Sequence, residues 1–471
     1  MDTCHAAPAA PAVSWHVVVE AALVGALVYI LAQARKRVPS EDARLTEEEV
    51  DDMCEAWEPA PLVAPEDLEV VVWRRDRVVT ATDGARVTVE GIDAVDFASL
   101  DFLGLARDAE TQRAAEAAIV KYGVGPCGPR GFYGTMDVHL ALERDLADFF
   151  GTEGGIVYSY DLATAPSIIA AFLRRGDLIV HDVALHASLR MGVAQSRADV
   201  LEFRHNDLDH LQDLMIGADD AAPHAPLNRR FVVVEGIYQQ SGTLSPLPEI
   251  VALADAYCFR VILDESMSLG VLGKTGRGAC EHHGVRPDAL TLVCGSMSTA
   301  LGSIGGFAVA CAAVTAHQRL SSTGYCFSAS LPPFHAVAAS KALERIAAQA
   351  AGVATLQARC RYLHAGLADM LASSHGDRAW LLGDDASAIK HVHLVDTRGS
   401  RQADTVFWQG ICDRMLAQAA CAVVVADYSP LEPRAPRASL RVAVRAAHTE
   451  PDLDRLIAAL DAALCAAFSA P

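Results

Sequence analysis

Six short and almost uninterrupted apolar segments constrain the fold of this chain more than any other feature. They cover residues 154–159, 177–182, 230–236, 260–266, 291–296 and 306–311. Runs of this length are typical of strands that are buried on both faces of a sheet. The segment 247–258 has helical apolar spacing, which predicts a strand–helix–strand unit with a right-handed crossover. The alternation predicts an α/β fold with a mostly parallel sheet.

The pattern along the chain predicts two domains and an N-terminal segment. We assign residues 91–340 to a large α/β domain. Residues 341–471 are alanine-rich and helical, with short strands at 391–395 and 440–445, and are expected to form a smaller α+β domain. Residues 35–90 form an acidic linker and an N-terminal segment. A chain of 471 residues that is 52% apolar is long enough for both domains.

An apolar stretch near the N-terminus predicts a membrane anchor. Residues 17–32 are apolar except for Glu20, and a basic cluster follows at 35–37. A transmembrane helix over 16–34 would leave 1–15 as a short lumenal tail and place the large domain in the cytosol. A cleaved signal peptide is an alternative, although no basic residue precedes the apolar stretch. A helix buried in the core of a soluble protein is another.

Charge and cysteine spacing exclude several classes of function. The net charge of −20 disfavours broad nucleic-acid binding. The 12 cysteines include no CxxC pair, which argues against a disulfide framework or a zinc motif. His282 and His283 have no further partner at ligand spacing beyond Cys280, so the sequence predicts no metal site.

The residues that end the apolar segments are the first candidates for a site, because ligands bind at the carboxyl ends of parallel strands. These residues are Asp182, Glu235, Asp264 and Gly295. Asp264 precedes a glycine-rich loop, and a buried carboxylate there needs a partner. It could cap the following turn through backbone N–H groups. It could also pair with the ring nitrogen of pyridoxal phosphate, PLP.

A series of motifs gives the chain a family resemblance. The motifs are "CGPRGFYGTMDVHLALE", "DVALHASLRMG", "FRHND", "DESMSLGVLGKTGRG", "SIGGF" and "YCFSASLPP". In this order the chain resembles the α-oxoamine synthases over residues 95–340. That family consists of PLP enzymes that join an amino acid to an acyl-CoA with loss of carbon dioxide. The resemblance implies the fold-type-I, aminotransferase-like fold, with PLP as the cofactor of the complex.

At the family's cofactor-facing positions, this chain keeps two of the family's residues and differs at two others. His186 matches the histidine that stacks on the cofactor ring, and Asp264 matches the acid on the ring nitrogen. Met267 falls where active members carry a histidine, and Thr299 falls on the Schiff-base lysine. A threonine hydroxyl cannot form an imine with an aldehyde. We therefore expect no catalytic residue and no covalently bound PLP in this chain.

Two further residues bear on the cofactor. Asp161 stands where active members usually carry glycine, at a helix start that holds the cofactor phosphate. An anion there competes with phosphate for the positive end of the helix. Asp161 could also be an ordinary N-cap, and both interpretations can hold and disfavour a phosphate. Between residues 122 and 340 the chain has one lysine, Lys274, in a loop to which the family gives no aldehyde-binding role.

In the family that the chain resembles, each active site lies between two subunits. The resemblance therefore implies that this chain contributes residues to a partner's active site. The residues expected to contribute to the partner's active site lie in segments 127–135 and 325–330. The residues are Cys127, Gly128, Arg130, Phe132, Tyr133, Tyr325, Ser328 and Ser330. Arg130 could hold an anion such as a phosphate or the acyl-CoA, because a guanidinium binds oxyanions bidentately. A solvated arginine in a surface turn is the alternative.

The resemblance implies the lysine-less subunit of a two-subunit synthase. The partner would hold PLP through its lysine and condense L-serine with palmitoyl-CoA to 3-oxosphinganine, the first step of sphingolipid biosynthesis. The complex would be anchored in the endoplasmic reticulum membrane with its catalytic domain in the cytosol, and small regulatory subunits could join it. Two alternatives stay open: a self-sufficient synthase that binds PLP non-covalently, and a non-enzymatic scaffold or lipid-sensing protein.

Overall fold

The computed structural model describes residues 22–27, 29, 45–59, 77–220, 229–426 and 436–469. These residues fall into two units, one ending at residue 75 and one starting at residue 76. In the first unit residues 22–27 and 29 are helical, and helix α1 spans Glu47–Ala56. A capping box starts α1: Thr46 Oγ1 accepts from Glu49 N at 3.3 Å, and Thr46 N donates to Glu49 Oε2 at 2.9 Å.

The predicted transmembrane helix over 16–34 lies largely outside the described residues. Within the part that the structure describes, no helix reaches the length and apolarity that a membrane crossing needs. The anchor therefore stays a prediction.

A central seven-stranded sheet organises the second unit. A three-stranded antiparallel meander and two helices precede it: β1 Val79–Asp83, β2 Arg86–Val89, β3 Ile92–Asp96, α2 Ala109–Tyr122 and α3 Asp137–Phe150. The sheet and its helices are β4 Gly154–Tyr158, α4 Asp161–Phe172, β5 Leu178–Asp182, α5 Ala187–Ser196, β6 Asp199–Phe203, α6 Leu208–Asp220, β7 Arg230–Glu235, α7 Leu247–Ala256, β8 Arg260–Asp264, α8 Ala279–His283, β9 Leu292–Ser296 and β10 Gly306–Ala310.

The six predicted segments are all strands of this sheet, which confirms the α/β fold. The strands lie in the order β4–β10–β9–β8–β7–β5–β6. Six of the seven run in the same direction, and β10 runs antiparallel to both of its neighbours. Strand β6 was not predicted. It lies at the sheet edge, and its first residues, from Asp199, are exposed, so its sequence lacks the apolar run of a strand buried on both faces.

The C-terminal part packs helices against a second, antiparallel sheet in the order β11–β12–β15–β14. Its elements are α9 Ala312–Ser321, α10 Thr323–Cys326, α11 Pro333–Ala348, α12 Ala350–Ser374, β11 Ala379–Leu382, β12 Ile389–Leu394, α13 Arg401–Ala419, β13 Cys421–Ala422, β14 Val424–Ala426, β15 Ser439–Ala443 and α14 Glu450–Ser469. The predicted strands at 391–395 and 440–445 correspond to β12 and β15. Helix α11 runs across residue 340, and the domain boundary placed there stays a prediction.

Candidate functional site

The predicted strand ends lie together at one edge of the central sheet. Strands β5, β7, β8 and β9 are parallel and consecutive in the sheet in the order β9–β8–β7–β5. Asp182, Glu235, Asp264 and Gly295 therefore share the carboxyl edge. His186 follows β5 and caps α5, with its Nδ1 accepting a hydrogen bond from a backbone N–H of the first turn. The topology thus brings His186 to Asp264.

Asp264 is the buried anion of this site. Its Oδ2 lies 3.5 Å from His186 Nε2, and its Oδ1 accepts a hydrogen bond from Ser266 N at 2.8 Å. The thiol of Cys294 donates to Oδ2 at 3.7 Å. Burial acts to raise the pKa of Asp264, but interactions with His186 and Ser266 outweigh burial and hold the pKa below its ordinary value. Asp264 is therefore a carboxylate surrounded by groups of its own chain.

Glu235 is a second buried carboxyl beside His186. Its Oε1 accepts a hydrogen bond from His186 N at 2.7 Å, and its Oε2 accepts one from Gln239 N at 2.9 Å. Burial raises the pKa of Glu235 to about 7, against the lowering effect of His186. Asp264 is thus ionised at neutral pH while Glu235 titrates there.

Thr299, at the position of the family's lysine, is part of the protein wall. Its side chain is buried, and its Oγ1 donates to the backbone carbonyl of Ser266 at 2.7 Å. Met267, the next residue after Ser266, is buried in the apolar core. The hydroxyl of Thr299 therefore ties the loop after β9 to the loop after β8.

Asp161 places a carboxylate at the start of α4. Its Oδ2 accepts a hydrogen bond from Ser296 Oγ at 2.8 Å, and Ser296 Oγ lies 2.8 Å from Ser298 Oγ. The other oxygen, Oδ1, is buried without a hydrogen-bond partner. The N-cap is Tyr160, so Asp161 is the first helical residue and not the capping residue. Its negative charge thus occupies the positive end of the helix.

These residues do not fit a covalently held PLP. The aldehyde has no amine at Thr299, whose hydroxyl is hydrogen-bonded to the backbone. A phosphate at the start of α4 would meet the carboxylate of Asp161, a like charge. His186 and Asp264 persist, but at 3.5 Å they contact each other. The arrangement is a set of polar side chains that stabilise one another.

The two segments predicted to serve a partner are hydrogen-bonded to each other. Ser330 donates to the carbonyl of Gly128 from its backbone nitrogen at 2.9 Å and from its hydroxyl at 3.1 Å. Pro129 and Ala329 form an isolated antiparallel bridge. We call residues 127–135 and 325–330 the paired segments.

The guanidinium of Arg130 points into the protein. Its Nη1 lies 2.8 Å from Glu143 Oε1, its Nε donates to Thr135 Oγ1 at 3.0 Å, and it lies 5.1 Å from the ring centroid of Tyr325. Glu143 also pairs with Arg319 at 3.1 Å. Arg130 and Glu143 are both buried, so the solvated-turn interpretation of Arg130 is wrong. Its role as an anion anchor stays a prediction.

The outer face of the paired segments is aromatic and exposed. Phe132 is 68% exposed, Tyr133 is fully exposed and Phe327 is 80% exposed. Tyr133 and Cys127 both adopt positive φ, 65° and 57°, which is uncommon for residues with a side chain. Cys127 is also exposed in this chain, and Ser328 is half-buried. Exposed aromatic side chains on a strained backbone are typical of a surface that another chain covers.

Three contributors to these sites escaped sequence reasoning. Glu143 stands on the apolar face of α3 beside Leu142, and a charged residue at such a position was the available signal of a buried ion pair. Cys294 and Ser296 belong to a strand end rich in small residues, and only the sheet register shows which of them faces Asp264 or Asp161.

The family follows from the fold and from a direct match. The family model of the class I and II aminotransferases matches residues 92–460, most of the chain. The chain therefore belongs to the aminotransferase class I and II family.

Individual proteins to which the chain is similar define its place within this family more closely. The chain is 38% identical over 449 residues to long chain base biosynthesis protein 1c of Oryza sativa subsp. japonica, covering 94% of this chain and 90% of the relative. It is 35% identical to serine palmitoyltransferase 1 of Dictyostelium discoideum, covering 89% and 87%. It is 36% identical to serine palmitoyltransferase 1 of Saccharomyces cerevisiae, covering 80% and 70%.

Solved structures agree with these relatives. The serine palmitoyltransferase of Sphingomonas wittichii is 26% identical with a TM-score of 0.74, covering 91% of this chain and all of that one. A variant of the S. paucimobilis enzyme with bound PLP–myriocin aldimine is 28% identical with a TM-score of 0.73, covering 83% and 93%.

Proposed function

We propose that this chain is the lysine-less subunit of a serine palmitoyltransferase and that a lysine-bearing partner carries the chemistry. The relatives named serine palmitoyltransferase 1 and long chain base biosynthesis protein 1 support a subunit of this enzyme in sphingolipid synthesis. The reaction would join L-serine and palmitoyl-CoA with loss of carbon dioxide. PLP would be held by the partner.

Thr299 is the observation that carries this proposal. The residue that replaces the lysine is buried and hydrogen-bonded to Ser266, and the carboxylate of Asp161 stands at the helix end that could take a phosphate. Neither feature suits a cofactor bound through this chain.

Two other lysines, Lys274 and Lys390, do not replace the missing one. Lys274 is exposed in the loop after β8. Lys390 is buried on β12, where its ammonium donates to the carbonyls of Asp384 and Asp385, and burial lowers its pKa to about 8. Its ammonium is thus hydrogen-bonded to the loop that connects β11 and β12 of the second sheet.

Borohydride reduction tests the division of labour. PLP is added to this chain alone and to the complex with its partner, each sample is reduced, and pyridoxyl-lysine is mapped by mass spectrometry. We expect specific labelling on the partner and none on this chain. Specific labelling of Lys274 or Lys390 would make this chain a cofactor-binding enzyme in its own right.

The same preparations separate the remaining alternatives. If this chain alone formed 3-oxosphinganine without a label, it would be a self-sufficient synthase with non-covalent PLP. If neither it nor its complexes formed product, a scaffold or lipid-sensing role would replace the proposal.

We further propose that the paired segments contact the partner's active site. The support is their exposed aromatic face at Phe132, Tyr133 and Phe327. Cross-linking through a photoreactive residue in place of Phe327 should capture the partner, whereas the same residue in place of the exposed Val200, on edge strand β6, should not. Equal capture from both positions would remove the paired segments from the interface.

Anchoring in the endoplasmic reticulum membrane is a separate proposal, supported by the apolar residues 17–32 and the basic cluster at 35–37. Alkaline carbonate extraction should leave the full chain in the membrane fraction and release a chain that lacks residues 1–37. Release of the full chain would overturn the anchor.

A further inference from the structure

A second polar cluster lies where helices α12 and α14 meet. It consists of His375, the residue that ends α12, and of Asp461 and Cys465, one turn apart on α14. His375 Nε2 lies 2.8 Å from Asp461 Oδ1. Cys465 Sγ lies 3.9 Å from that nitrogen and 4.0 Å from that oxygen. We propose that these three side chains bind a divalent transition-metal ion of the zinc class.

The arrangement differs from a catalytic relay. In a nucleophile–histidine–acid triad the imidazole uses one nitrogen for the nucleophile and the other for the acid. Here Asp461 and Cys465 both face Nε2 of His375. Three different ligand atoms that converge on one point form a metal-ligand set.

The distances suit a tetrahedral ion after a small adjustment. Zinc bonds of about 2.0–2.3 Å at tetrahedral angles separate ligand atoms by about 3.3–3.6 Å. The observed separations of 2.8, 3.9 and 4.0 Å bracket this range. Side-chain rotations that move each atom by about 0.5 Å would bring all three into bonding position. Among the described residues, no other group of three such side chains converges in this way.

The electrostatic surroundings favour a cation. His375 stands at the C-terminal end of α12, where the helix dipole presents partial negative charge. The carboxylate and a thiolate would balance a divalent charge. Arg378, three residues after His375, has other partners: its guanidinium lies 5.2 Å from the ring centroid of Phe468, donates to the carbonyl oxygen of Phe468 and pairs with Asp377 at 3.6 Å.

The site combines a fixed ligand with an open entrance. His375 is buried and its ring packs near Phe468, with 5.9 Å between centroids. Cys465 is exposed and Asp461 is half-buried. An ion can therefore enter from solvent and keep a water molecule as its fourth ligand.

Cobalt(II) is the probe, since its thiolate bonds absorb in the near ultraviolet and its tetrahedral complexes absorb strongly in the visible range. Cobalt(II) is titrated, under reducing conditions, into the complex in which the full chain purifies. We expect both absorptions to appear and to saturate at one equivalent of cobalt(II) per copy of this chain. Addition of zinc(II) should abolish both absorptions. Cys465→Ala should weaken binding at least tenfold and abolish the thiolate band.

A matched variant and a second ligand keep the test decisive. Cys311→Ser removes another exposed cysteine and should leave the spectrum unchanged. Asp461→Asn should weaken cobalt binding while leaving the protein folded. Zinc(II) should raise the melting temperature of the wild-type chain but not of Cys465→Ala. Absence of the thiolate band in the wild-type complex, or its persistence in Cys465→Ala, would overturn the site.

Discussion

The cofactor site and the paired segments are built in opposite ways. At the cofactor site the side chains of Asp264 and Thr299 are buried and that of His186 is half-buried, and all three contact groups of their own chain. In the paired segments the backbone is fixed internally, but Phe132 and Phe327 face outward.

This difference separates side chains that stabilise one another from side chains that face outward. Residues at the carboxyl edge of the sheet fill space and stabilise the loops after β8 and β9. Thr299, at the position of the family's lysine, is hydrogen-bonded to one of these loops through Ser266. In the paired segments Cys127 and Tyr133 keep positive φ, and the aromatic side chains of Phe132, Tyr133 and Phe327 face solvent. We infer that the first region serves stability and the second serves association.

Gly134→Ala is expected to have the largest effect. A Cβ there would stand 1.9 Å from the carbonyl oxygen of Gly128, which also accepts both hydrogen bonds from Ser330. We expect a loss of more than about 3 kcal/mol of unfolding free energy and failure to co-purify with the partner.

Gly131→Ala is the control, because a Cβ at Gly131 would contact nothing within 4 Å. Denaturant unfolding and co-purification compare the two variants. Equal behaviour would break the contrast, since the paired segments would then not be tightly built.

Arg130→Met should lower the free energy of unfolding by about 3 kcal/mol, because it leaves the buried charge of Glu143 with Arg319 alone. The double variant Arg130→Met, Glu143→Gln should recover most of that stability. Activity of the complex then separates two roles. A stable, assembled and inactive double variant would assign Arg130 to anion binding at the partner's site, and an active one would leave it a structural role.

Stability should depend on pH through Glu235. Burial raises the pKa of Glu235 to about 7 from an ordinary 4.5, so the folded state holds this proton to higher pH than the unfolded state. The folded state therefore loses stability as pH rises from about 4.5 towards 7. Between pH 5.5 and 7.5 the loss from this group is about 2 kcal/mol.

Glu265, whose pKa is also raised to about 7 by burial, adds to the same slope. Unfolding free energies at several pH values should show a shallower slope for Glu235→Gln than for the wild-type chain. Glu116→Gln, at an exposed glutamate of α2, should leave the slope unchanged. A wild-type stability that is flat across this range would contradict the prediction.

Thr299→Val should have the smallest effect. It removes the hydrogen bond to the carbonyl of Ser266 and should cost about 1 kcal/mol, with the activity of the assembled complex unchanged. A complex that assembles but loses activity would show that this pocket takes part in catalysis, and the contrast between the two regions would fail.

Local signals were sufficient for six of the seven strands of the central sheet. Continuous apolar runs predicted the buried strands and placed Asp264 at a strand end. Thr299 was matched to the family's lysine through the family resemblance alone. Edge strand β6 could not be predicted in this way, because a strand with one solvent-facing side carries a mixed sequence. The Arg130–Glu143 pair could not be predicted either, since it joins a loop to a helix face.

The sequence by itself determined the strand–helix alternation, the residues at the carboxyl edge and the absence of a lysine at residue 299, because each is a property of neighbouring residues. Tertiary structure decided which side chains meet. It set His186 against Asp264, turned Arg130 inward to Glu143, joined Gly128 to Ser330 and gathered His375, Asp461 and Cys465. The physical reason is that such contacts depend on sheet order and helix packing, which bring together residues that are distant in the chain.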